Sequence, residues 1–159
     1  MKITGSYGPK RTERTKLVAL VVAGMMVAML LAQLYGYEDF AVTLGGLLPI
    51  NDAATLSVIA AIIVIVELLS LPYLLGMYVS KLMRIACGFL ATSASLFWLF
   101  TSLTNAHANN SVLFSTALEL PGGIFATAWS LAIFAGIVIV IKADTDSAGT
   151  TLEKKAKLE

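Results

Sequence analysis

Apolar residues run along this chain in long uninterrupted stretches, and charged residues mark their borders. Lys16 and Glu38 enclose 21 uncharged residues, Arg84 and Glu119 enclose 34, and Glu119 and Lys142 enclose 22. Asp52 and Lys81 enclose 28 residues that carry one charge, Glu67. A helix of about 20 apolar residues crosses a hydrocarbon core of roughly 30 Å. The pattern therefore predicts four membrane-spanning helices, near 17–36, 53–79, 83–104 and 123–142. A cleaved signal peptide is the alternative for the first stretch. Val18 to Leu34 exceeds the roughly 7–15 residues of a signal core, and no clear small-residue cleavage pattern follows, so a true span is expected.

Composition agrees with the pattern. The 159 residues are 58% hydrophobic and 13% charged, with a mean hydropathy of +0.85. A soluble domain is about a quarter charged, so a disordered chain is excluded and a water-soluble globule is disfavoured. The length leaves room for one domain at most. A net charge of +1 gives no sign of a nucleic-acid partner, and one Cys with one His disfavours a metal site or an internal disulfide.

The loops set the expected orientation. All 11 Lys and Arg fall in the first 16 residues, in the turn after span two (Lys81, Arg84) or in the stretch from Lys142 onward. The other connections carry Glu38, Asp39, Asp52, Glu119 and His107. The positive-inside rule then places both termini in the cytoplasm, with residues 1–16 as a cytoplasmic segment, 17–142 as the membrane domain and 143–159 as a mobile cytoplasmic tail. The fold class expected is an all-α integral membrane four-helix bundle, in a prokaryotic inner membrane. Glu38 to Asp52 is too short and too broken by Gly45, Gly46 and Pro49 to span. It is expected to lie at the interface or tuck under the helices, with Asn51 or Asp52 capping span two.

Lipid gives helices no hydrophobic reason to associate, so small residues that allow close approach matter. Gly24, Ala28 and Ala32 form one such row, Gly88, Thr92 and Ser95 a second, and Ala128, Ala132 and Gly136 a third. Packing within the bundle is the first expectation for these rows, and a homo-oligomer the second.

Glu67 carries the strongest chemical signal. It lies 15 residues after Asp52 and 14 before Lys81, about 21–22 Å from each and so near the bilayer midplane. A charged carboxylate there costs several kcal/mol, and no Lys or Arg lies at its depth. The expectation is a neutral acid facing the bundle interior, serving either as a ligand or proton site or as hydrogen-bonding glue between helices. Pro72 removes a backbone donor and predicts a kink beyond Glu67. Tyr73 and Gln33 complete the candidate ligand-binding set, each with a blander reading as anchor or packing residue. Tyr35, Tyr37, Tyr78, Trp98 and Phe100 read as interfacial anchors, Cys87 as a buried apolar residue and His107 as a solvated loop residue. No phosphate loop, nucleophile–base pair or metal-ligand spacing is present.

Met29-Leu30-Leu31-Ala32-Gln33-Leu34, Tyr37-Glu38-Asp39-Phe40, Gly46-Leu47-Leu48-Pro49 and Val66-Glu67-Leu68-Leu69 follow in that order. The series resembles the DoxX and methylamine-utilisation MauE group of four-span membrane proteins. It covers about 29–75 together with the four-span topology, and departs at Gln33, where that group often has lysine. The resemblance implies a helical bundle linked to respiratory or thiol redox chemistry, with Glu67 as the site residue and Phe40 and Pro49 as scaffold. The function expected is a DoxX-like protein that binds a quinone or similar lipid-soluble ligand beside Glu67 and serves a membrane redox or respiratory subunit. The alternative is a non-catalytic accessory or assembly subunit of a larger membrane complex. Neither reading requires an autonomous enzyme. A proton-conducting bundle ranks last, because one acid without a polar row above or below it makes a poor pathway.

Overall fold

The computed structural model describes residues 11–48, 50, 52–104, 113–114 and 123–156, and among these the chain is helical with no strand. The helices are α1 (Glu13–Tyr35), α2 (Tyr37–Gly45), α3 (Ala53–Leu74), α4 (Lys81–Thr104) and α5 (Ile124–Ala156). Four of them, α1, α3, α4 and the Ile124–Asp146 part of α5, are long and apolar enough to cross a membrane. They close a ring in which α1 packs on α3, α3 on α4, α4 on α5 and α5 on α1. Consecutive spans run in opposite directions. The start of α1, the end of α3 and Asp144 of α5 therefore meet at one end, the basic end. The chain is an integral membrane four-helix bundle.

Local chemistry sets the helix ends. Thr12 caps α1 by accepting from the Thr15 N–H. Asp52 caps α3 by accepting from the Thr55 N–H at 2.9 Å and from the Thr55 hydroxyl. Asn51, the other candidate cap, lies outside the described residues, as do Pro49 and His107. The end of α3 corrects the sequence expectation, because the helix stops at Leu74 and not at 79. Pro72 sits in its last turn, and Gly76 follows with φ 66°. That left-handed residue lets the chain turn back while Leu75, Gly76 and Met77 donate to the carbonyls of Leu71, Tyr73 and Pro72. At the other extreme, α5 runs to Ala156 through the stretch expected as a tail, with Asp144 tied to Arg11.

The segment between spans one and two does tuck in. Its nine-residue helix α2 buries Phe40, Ala41 and Leu44, and the Tyr37 hydroxyl donates to the Ser57 carbonyl at 2.6 Å. These residues join Met29, Leu56, Val64, Trp98, Leu113 and Phe114 in one buried cluster. A second cluster lies toward the basic end and contains Val22, Met26, Tyr73, Cys87, Ile137 and Val140.

The small-residue rows divide. Gly88 and Ser95 are buried and Thr92 is half-buried, and the Gly88 Cα faces the Tyr73 ring. In α5 only Gly136 turns inward, while Ala128 and Ala132 are exposed. In α1 the row points mostly away from the bundle, since Gly24 has nothing within 4 Å of a Cβ position and Ala28 is exposed. The inward face of α1 is instead built from Ala19, Val22, Ala23, Met26, Met29 and Gln33. Val22 supplies bulk where α5 supplies the gap, and a Cβ at Gly136 would lie 2.2 Å from Val22 Cγ2.

Candidate functional site

Glu67 lies on α3 between Val64 of the first cluster and Tyr73 of the second, and it is 0% exposed. It stands fourteen residues past Ala53 and only seven before Leu74. Reckoned along its own helix it is roughly 21 Å from one end and 10 Å from the other, nearer the basic end than the flanking charges imply. Trp98 of α4 donates its indole N–H to Glu67 Oε1. Next to them, Ser70 donates to the Glu67 carbonyl at 2.6 Å and its hydroxyl lies 3.8 Å from Met26 Sδ.

Trp98 is a correction. The sequence suggests an interfacial anchor, yet the ring is 2% exposed, packs edge-on against Phe97 at 5.1 Å and lies 6.1 Å from Phe40. A tryptophan near a helix end reads as an anchor from position alone. Its direction into the bundle depends on which helix faces α4, and that is not visible in sequence.

Gln33 of α1 reaches the same place. Its side chain is 0% exposed, is the second polar neighbour of Glu67, and donates through Nε2 to the Leu113 carbonyl at 3.2 Å. Phe114, next in sequence, meets Trp129 of α5 at 5.2 Å edge to face, and Phe125 lies 5.9 Å from Trp129. Three buried polar atoms in this region have no hydrogen-bond partner among the described residues: Glu67 Oε2, Gln33 Oε1 and Trp129 Nε1. Buried polar groups are rarely left unpaired. A carboxylate here would also have no cation among its hydrogen-bonding neighbours. A neutral acid resolves both problems, because its O–H on Oε2 can donate.

Tyr73 does not join this set. It lies two turns further along α3, is 6% exposed and stacks beneath Arg11, whose guanidinium carbon is 5.1 Å from the ring centroid. Arg11 counts only as one of the basic residues in the sequence pattern, yet its side chain is 3% exposed. It holds Asp144 through Nε at 3.0 Å and Nη2 at 2.9 Å, and donates to the carbonyls of Leu74 at 2.9 Å and Tyr73 at 3.0 Å. A cation at a helix C-terminus also complements the helix dipole. The signal in sequence is thin: Asp144 is an acid at the end of span four with Arg11 just before span one.

Among the described residues no three His, Cys, Asp or Glu side chains gather as a metal site would require. Comparison with protein-family models, with curated proteins and with solved structures finds no match to this chain.

Proposed function

We propose that this bundle binds a lipid-soluble ligand with carbonyl or hydroxyl oxygens, a quinone or a similar molecule, beside Glu67, and serves a membrane redox or respiratory partner. The observation that carries the reading is the unpartnered pair Glu67 Oε2 and Gln33 Oε1, brought from α3 and α1 into one buried site. A neutral Glu67 offers an O–H to a ligand carbonyl, and Gln33 Oε1 accepts from a ligand hydroxyl. Trp129 Nε1, also without a partner among the described residues, is a further donor on the aromatic side of the same region. Trp98 fixes the Glu67 rotamer through Oε1 and leaves Oε2 as the reactive face. With this reading goes a place among DoxX- and MauE-type proteins, supported by the ordered segments around Gln33, Phe40 and Glu67. The basic end then faces the cytoplasm of a prokaryotic cell, by the distribution of lysine and arginine.

The second reading, an accessory or assembly subunit, is favoured by one observation. Glu67 already ties α3 to α4 through Trp98, as glue between helices would. Organic extraction of gently purified protein, with chromatography and mass spectrometry, separates the two. Near-stoichiometric quinone in wild type that falls in Glu67→Gln supports the ligand site. Bulk-lipid amounts in both proteins, purified without detergent stripping, favour the accessory subunit.

A further inference from the structure

At the basic end, α1 and the end of α3 enclose a cleft of about 270 Å³ lined by Arg11, Lys16, Leu20, Leu74, Leu75 and Gly76. We propose that it binds the phosphate-bearing headgroup of an anionic membrane lipid. Two of the six lining side chains are cations and none is an acid. Arg11 has five N–H groups; four are used on Asp144, Tyr73 and Leu74. Nη1 carries the one N–H outside those four hydrogen bonds. That nitrogen lies 3.8 Å from the position a Cβ would take on Gly76, on the cleft wall. The second cation, Lys16, holds Glu13 at 2.7 Å, but both side chains are largely exposed. Such a surface pair is weak and exchanges readily for a phosphate.

The leucines separate a lipid from a free anion. Lys16 and Leu20 are four residues apart and share one face of α1, and Leu20 lies one turn deeper in the span. Leu20 is 63% exposed and Leu75 48% exposed. A headgroup between Arg11 and Lys16 therefore leads its acyl chain onto apolar side chains that already face lipid. Basic pockets between spans at the membrane surface recognise anionic headgroups in this way. Asp144 neutralises Arg11, so Lys16 is the charge that selects anionic over zwitterionic lipid.

The test is native mass spectrometry of the purified chain in neutral detergent, offered equal phosphatidylglycerol and phosphatidylcholine. Wild type should carry phosphatidylglycerol in excess. Lys16→Gln should lose roughly fivefold of that preference, the ratio that about 1 kcal/mol per cation corresponds to. Arg14→Gln, which removes an exposed cation outside the cleft, should keep it. Equal adducts of the two lipids in wild type, or the same loss in both variants, would overturn the proposal. Displacement of phosphatidylglycerol by excess inorganic phosphate would also overturn it, by making the ligand a free anion.

Discussion

Arg11 and Asp144 stand 133 positions apart and are joined by two hydrogen bonds of 3.0 and 2.9 Å. Because Arg11 also holds the last carbonyls of α3, this one side chain locks the start of α1, the end of α3 and the far part of α5 together. Removing one member of a buried pair strands the other. Arg11→Gln should lower unfolding free energy by about 3 kcal/mol, the low end for a buried pair because Asp144 retains some surface. Arg11→Lys should recover only part of it, since an ammonium cannot hold a carboxylate and two carbonyls in a fork. Adding Asp144→Asn to Arg11→Gln should cost less than the sum of the single losses. Thermal unfolding in detergent of wild type, Arg11→Gln, Arg11→Lys, Asp144→Asn and the double variant checks all three expectations.

The Trp98–Glu67 contact predicts an inversion of the usual cost of mutating a buried acid. Trp98→Phe leaves Glu67 Oε1 buried without its donor and should cost about 1–3 kcal/mol. Glu67→Gln should cost little or stabilise, because an amide oxygen still accepts from Trp98 and the amide keeps the shape of the neutral acid. Glu67→Ala strands the Trp98 N–H and leaves a hole, and should be the least stable of the three. Chemical unfolding of the set in one detergent gives the order.

Gly136 and Gly24 should respond oppositely to the same change. Gly136→Ala places a Cβ 2.2 Å from Val22 Cγ2, so α1 and α5 must separate, at about 1–3 kcal/mol. Gly24→Ala meets nothing within 4 Å and should alter stability by less than about 0.5 kcal/mol. Paired melting curves decide it.

Asp52 gives the bundle an acid-sensitive cap. Hydrogen bonds from the Thr55 side chain first, and then from the Thr55 backbone N–H, hold its carboxyl below the ordinary 3.8. A folded-state value below the unfolded one means the contribution is present above about pH 4 and is lost as pH falls through the lowered folded value. Asp52→Asn keeps a capping acceptor without the titration. Its melting temperature should lie below that of wild type at pH 6, and the gap should narrow as the pH is lowered below about 4.

Much of the architecture was legible because membrane physics writes it in charge-free lengths. Four spans, a tucked segment before span two and an inward Glu67 follow from where Lys, Arg, Asp and Glu do not occur. What failed was whatever depends on azimuth. Gly24 and Ala28 form a proper small-residue row, but the row lies mostly on the side of α1 that no helix covers. Gln33 and Tyr73 look equally suited to Glu67, and only Gln33 arrives there, because α1 brings residue 33 to the level of Glu67 while Tyr73 projects two turns away. Trp98 and Arg11 were the hidden members. Each sits where tryptophans and arginines normally face the membrane surface, and each is turned inward by a partner on another helix.

An infrared difference spectrum of Glu67 tests the ligand site most directly. The purified, delipidated chain is titrated with a short-chain quinone, wild type against Glu67→Gln. A neutral acid that binds the ligand predicts a protonated-carboxyl C=O band in wild type, absent from the variant, that shifts as quinone is added. A carboxylate signal in place of that band, or a band unmoved by excess quinone, would contradict it.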